Sequence, residues 1–172
     1  SVHGRPLHAD DERANPTCDV AGWERFDGRR VDLMARAIAG HRDGPEAARV
    51  RAAAGPNVEL VGELSRERMR PLLRGARAFI FAAEEDFGIL PVEAQACGTP
   101  VIAFGRGGAL ETIVGTDHEE PTGLFFTSQE SDAIQAALDQ FEREADRFTP
   151  SACRANAMRF SQAAFRQHFE QF

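Results

Sequence analysis

From residue 58 onward the chain alternates between short, mainly apolar runs and longer stretches in which apolar residues return every three or four positions. The runs "VELVG" (58–62), "AFIFAA" (78–83), "PVIAF" (100–104) and "GLFF" (123–126) each predict a buried strand. Between them the spacing predicts helices over about 66–75 with Ser65 as N-cap, from Pro91 to Cys97, over 109–114, and over 130–144. In the last of these Ala133, Ile134, Ala137, Leu138 and Phe141 share one face. Upstream, Val31, Leu33, Met34, Ala37 and Ile38 recur at helical spacing and Gly40 supplies a stop. "DGPEAARVRAAAG" then reads as a second helix, with Pro45 near its first turn and Gly55 after its end. Residues 1–28 are polar and broken by Gly and Pro, and predict an irregular segment with at most an incomplete first strand at "CDVAGW". Unbroken strands alternating with helices call for an α/β domain over 29–172, a parallel sheet covered on both faces. Only His41-Arg42-Asp43 separate the two early helices, so the sheet is expected to be one strand short at its start. Ligands of such sheets bind beyond the strands' carboxyl ends, which puts the loop after 78–83 on the functional edge.

Composition then narrows the class. With 172 residues, 42% of them hydrophobic, the chain supports one ordinary domain and not two. Twenty basic against 27 acidic side chains give a formal charge of -7, which disfavours a nucleic-acid partner. Every basic residue is arginine, which rules out a P-loop with its obligatory lysine. Cys18, Cys97 and Cys153 are too few and too scattered for a metal knuckle or a disulfide framework, so a reducing, cytoplasmic setting is the default. No apolar run approaches the ~18 residues of a transmembrane segment, and Ser1 does not begin a signal peptide. A start without methionine is expected of a fragment or a processed chain.

The candidate chemistry lies in "EEDFGILPVE", residues 84–93. Taken singly, Glu84, Glu85 and Asp86 fit a solvated loop, and Glu93 fits the first turn of a helix whose first residue is Pro91, where the macrodipole favours an acid. Taken together, Glu85 and Glu93 flank Phe87-Gly88-Ile89 and a helix N-terminus. That arrangement offers backbone N–H donors to an anion and carboxylates to sugar hydroxyls on either side, which suits a diphosphate between two sugars.

"EEDFGILPVEAQACGTPVIAFGRGGALETI" resembles the donor-site signature of glycosyltransferase family 4, the retaining GT-B enzymes, with Glu85 and Glu93 as its E-x7-E pair. "DGPEAARVRAAAGPNVELVGELS", "PTGLFF" and "RFSQAAFRQHFEQF" are similar to the flanking segments, so the resemblance runs from about Arg29 to Phe172. It implies a Rossmann-like C-terminal half of a GT-B fold that binds a nucleotide-diphosphate sugar, GDP-mannose by preference and a UDP-sugar as the alternative. It implies Glu85 and Arg29 at the reacting centre, Glu85 on the transferred sugar and Arg29 neutralising the diphosphate with Arg30 beside it. Glu93 would hold the ribose, Leu64 would meet the base, and Asp86, Phe87, Gly88, Ile89 and Leu90 would line the sugar and β-phosphate. An oxygen of the departing phosphate would itself take the acceptor's proton, so no dedicated protein base is required; nor is a metal cofactor implied. The pattern's second phosphate-binding arginine is replaced by Glu24, with Arg25 next to it. The acceptor-binding N-terminal half is missing, so the chain alone would bind a donor, with any peripheral attachment to the inner face of a membrane made through that half. The competing reading is a degenerate, non-catalytic nucleotide-binding or interaction module.

Other signals carry less. Gly105-Arg106-Gly107-Gly108 would need glycine at Leu110 for a dinucleotide fingerprint, and reads instead as a turn that brings backbone close to the donor or simply reverses the chain's direction. His3, His8, Asp10 and Asp11 read as a solvated tail, and His118-Glu119-Glu120 as a polar loop. Phe160, Phe165, Phe169 and Phe172 read first as the core face of a helix and second as a docking stripe.

Overall fold

The computed structural model describes residues 36–38, 48–49, 51–52, 54–55 and 58–171. The irregular segment expected over 1–28, together with Arg29, Arg30 and Phe172, lies outside them.

Arg36–Ile38, inside the block read as a helix, is a strand, β1. It pairs in parallel with β2 (Val58–Leu60) in the register Arg36↔Val58, Ala37↔Glu59, Ile38↔Leu60. Over so short an apolar run, periodicity does not separate helix from strand; a neighbouring strand edge decides, because ladder bonds satisfy backbone groups otherwise left open. The strand expected to be missing is therefore present. Residues 48–49 and 51–52 are helical and belong to the crossover that two parallel strands require.

Helix α1 (Arg66–Gly75) follows β2 over the range the sequence predicts and buries Leu73. The Thr99 hydroxyl donates to the Leu73 carbonyl, tying the end of α1 to the approach to the next sheet. That sheet is parallel, in the order β3 (Phe79–Phe81), β4 (Val101–Phe104), β5 (Gly123–Phe126). Phe79 is level with Val101, and Val101 with Gly123.

Strand β4 lies in the middle and all four of its residues are buried. Val101 and Ala103 face one cluster with Leu73, Phe81, Ala94, Ala109 and Ile113, against which Cys97 also packs. Ile102 and Phe104 face a second with Leu124, Phe126, Ala137, Phe141 and Phe148. Burying a Val, Ile, Leu or Phe side chain is worth about 1.5–3 kcal/mol. The two cores therefore meet in this one strand, and the loops at its end inherit a rigid base.

The covering helices are α2 (Ile89–Ala96), α3 (Ala109–Thr112) and α4 (Ser131–Arg143), then a 3-10 turn (Ala145–Arg147), α5 (Pro150–Met158) and α6 (Gln162–Phe169). Helix α5 has no amphipathic signature, since its buried residues are Ala152, Cys153, Asn156 and Ala157. Those small side chains let it pack closely on α2. Its start is nonetheless written in the sequence: the Thr149 hydroxyl accepts from the Ala152 N–H at 3.2 Å, and Pro150 occupies the first turn.

The C-terminal phenylalanines do not form a core face. Phe165 and Phe169 are 68% and 71% exposed and stack on each other with centroids 5.9 Å apart. Phe160 turns inward, onto a loop described next.

Candidate functional site

Two loops leave the carboxyl ends of β3 and β4 and meet. The first carries Glu84, Glu85, Asp86 and Phe87, all exposed. The second is the Gly105–Gly108 turn. The Gly108 N–H donates to the Glu85 carbonyl at 2.8 Å, and a side chain on Gly108 would collide with the backbone of Asp86 and Phe87. Gly107, at φ +57, likewise lies against the Glu85 backbone. The glycines thus bring backbone to the acidic loop and set where Glu85 sits. On the other side, the Gln129 side-chain amide donates to the Ala82 carbonyl at 2.6 Å.

The loop enters α2 through Gly88, whose φ of 78° and ψ of 74° are left-handed and favour glycine. The helix begins at Ile89, so Pro91 is its third residue, not its first, and Glu93 lies beyond the first turn. The macrodipole argument for Glu93 therefore fails. In its place Glu93 has a charge partner: Arg66 Nε is 3.6 Å from its Oε1, with side-chain exposures of 76% and 35%. Ile89 and Leu90 have no carbonyl within the helix to donate to, and Pro91 has no N–H. Around this start, Phe87, Ile89 and Leu90 expose apolar surface at 44%, 60% and 39%.

Leu64 lies half-buried in the loop joining β2 to α1, one residue before the Ser65 cap and two before Arg66. The Arg66–Glu93 contact brings that loop beside α2. Next along α1, the Glu67 carboxyl is held below its usual range by hydrogen bonds from its own backbone N–H and from the Ser65 hydroxyl. Arg106, in the glycine turn, lays its guanidinium over the Phe104 ring at 5.9 Å. Arg29 and Arg30, the expected diphosphate cations, are outside the described residues.

Beneath the site lies a polar network that the sequence pattern did not announce. Gln95, with no exposed surface, donates from Nε2 to the carbonyls of Pro91 (3.1 Å) and Thr112 (2.9 Å). Asn156 Nδ2 donates to Gln95 Oε1 (2.6 Å) and to the Thr112 carbonyl (2.8 Å). Gln95 follows Glu93 by two positions, and a polar residue at an inward helical position was the available signal.

The sequence pattern of the glycosyl transferases group 1 family matches residues 32–160. The chain belongs to that family. Among relatives of this group 1 chain, the alpha-1,3/1,6-mannosyltransferase ALG2 of Kluyveromyces lactis is 30% identical over 107 residues, 58% of this chain and 21% of that protein. The GDP-mannose-dependent monoacylated alpha-(1-6)-phosphatidylinositol monomannoside mannosyltransferase of Corynebacterium glutamicum is 36% identical over 90 residues, 48% of this chain and 22% of that protein. HepE from Anabaena, solved in complex with UDP and glucose, shares the fold at a TM-score of 0.58 and 24% identity, over 78% of this chain and 39% of its own. The α/β architecture of this group 1 domain is thus that of the GT-B glycosyltransferases. The matched region spans about a fifth of each curated relative.

Proposed function

We propose that the chain is the donor-binding half of a retaining glycosyltransferase that moves a hexose, mannose in our reading, from a nucleotide-diphosphate sugar to a glycan or lipid-linked acceptor. One observation carries this: Glu85, the left-handed Gly88, the open amides of Ile89 and Leu90, and Glu93 follow one another along a single turn-and-helix at the carboxyl ends of β3 and β4. Membership in the family supports it.

In this reading Glu93 accepts hydrogen bonds from the ribose, the backbone near Leu64 meets the base, and Glu85 holds hydroxyls of the transferred sugar, with Asp86 and Phe87 lining its pocket. The N–H groups of Gly88, Ile89 and Leu90 face the β-phosphate, and Arg29 and Arg30 neutralise the diphosphate. As the anomeric C–O bond breaks, charge gathers on the β-phosphate oxygen, where fixed amide dipoles and arginine charge stabilise it without reorganising. The same oxygen takes the acceptor's proton on the face from which it leaves, so configuration is retained and both glutamates act as binders. The acceptor is held by a second, N-terminal half. Among the described residues no helix is long and apolar enough to cross a membrane; in our reading any contact with the membrane's cytoplasmic face is made through that other half.

The names of the two curated relatives support mannose as the sugar and, in one, GDP as the carrier. Calorimetric titration with GDP, UDP, GDP-mannose and UDP-glucose tests this. Micromolar binding selective for GDP and GDP-mannose, abolished in Glu93→Ala, is expected. Selectivity for UDP would move the donor to a UDP-sugar. Indifference of the folded chain to all four would leave a non-catalytic interaction module.

A further inference from the structure

The end of α5 touches the candidate site twice. Inside, Asn156 joins Gln95 of α2 to the Thr112 carbonyl at the end of α3. Outside, the Phe160 ring meets Phe87 edge to face, with centroids 5.6 Å apart and planes at 80°. Arg159 links the two contacts: its Nη1 donates to Asn156 Oδ1 at 2.8 Å, and its guanidinium lies over the Phe160 ring at 5.3 Å. Phe87 is thereby held on two sides, its backbone against Gly108 and its ring against Phe160. It is also the residue between the acids of the loop and the Gly88 cap, so its placement sets the direction of Glu85 and of the first helical amides.

We propose that Phe160 is a positioning residue for the donor site, holding Phe87 and with it the Glu85–Leu90 segment in register, while Asn156 and Arg159 hold Phe160. The role deepens the donor-site reading and rests on it. Phe160 stands more than sixty residues from the loop it orders, just past the end of α5, and makes no contact with a donor in this reading.

The test uses the full chain with Phe160→Ala, Phe160→Tyr and Arg159→Ala, and two measurements. The first is amide exchange of Gly108 without ligand, since its N–H donates to the Glu85 carbonyl and reports whether the loop stays seated. An edge-to-face aromatic pair corresponds to about a two- to tenfold change in an equilibrium. Exchange at Gly108 is expected to quicken by that factor in Phe160→Ala, and by about twofold in Arg159→Ala. Exchange at Val101, inside the sheet, stays as it was, and Phe160→Tyr, which keeps the ring edge, restores Gly108. The second measurement is GDP affinity, expected to fall by a similar factor in Phe160→Ala and to return in Phe160→Tyr. Unchanged exchange at Gly108 in both alanine variants, or an equal rise at Val101, overturns the proposal. Should the unaltered chain bind neither GDP nor UDP, the donor-site reading falls, while the exchange data still decide whether Phe160 seats the loop.

Discussion

Replacing Gly108 by alanine probes the geometry of the site without altering any group that would touch a donor. Gly108 sits at φ −63 and ψ −15, an ordinary helical conformation, so alanine brings no backbone strain. What it brings is contact: its Cβ would lie 2.5 Å from the carbonyl oxygens of both Asp86 and Phe87 and closer still to the Phe87 Cα. Restoring an ordinary nonbonded distance requires the acidic loop to retreat by about 1 Å. The N–H···O bond from Gly108 to Glu85 lengthens with it. Overpacking of this kind costs about 1–3 kcal/mol and the hydrogen bond about 1 kcal/mol more. A fall in Tm of roughly 4–16 °C follows for a chain of this size. If the loop holds the donor, affinity for its nucleotide diphosphate falls by about tenfold to a hundredfold, the scale set by displacements of 1 Å. Thermal melting and calorimetry of Gly108→Ala should be run beside Gly75→Ala. Gly75 ends α1 with nothing within 4 Å of the position an added methyl would take, so that change should leave Tm level or raise it slightly. A Gly108→Ala chain that melts and binds like the unaltered one would refute the account of how the loop is held.

Gln95→Leu should destabilise the chain by about 2–3 kcal/mol in urea unfolding, because the Pro91 carbonyl loses its side-chain donor and one Asn156 donor loses its acceptor inside the protein; a change below about 0.5 kcal/mol would mean that the network is not needed. Arg66→Ala should leave stability within about 1 kcal/mol, since the Arg66–Glu93 pair is solvent-exposed, whereas Glu93→Ala should abolish nucleotide binding; equal effects in calorimetry would count against a ligand role for Glu93. Burial pushes the Cys153 thiol up to about 12 from an ordinary 9.0, so the folded chain keeps a proton that the unfolded chain releases. Its contribution to stability is full below about pH 9 and declines as pH rises from there toward 12; the decline should be shallower in Cys153→Ala, and an identical slope in both chains between pH 8 and 10.5 would contradict it.

Chain-local physics made much of this domain legible. Apolar runs announced β2 through β5, most plainly β4, which is buried along its whole length and has no polar side to show, whereas Glu59 of β2 and Ile80 of β3 are exposed. Helix α1 was legible from its cap and spacing, and the acidic loop was placed at the carboxyl edge by strand order alone. That the Gly105–Gly108 turn brings its backbone against Glu85 is visible only in the fold. Three elements were decided elsewhere. Arg36–Ile38 is a strand because β2 offers an edge to pair with, a contact about twenty residues away that periodicity does not contain. Helix α5 buries small residues instead of an apolar stripe, so nothing in its pattern announces that it packs on α2. The phenylalanines at 160, 165 and 169 look alike in sequence, yet one meets the Phe87 ring and two face solvent, since orientation at a helix end depends on what the helix packs against. Sequence by itself determined where charge lies and which apolar runs become β2 to β5; tertiary structure decided which side chains are covered and which of them meet, because those contacts join segments that no local rule couples.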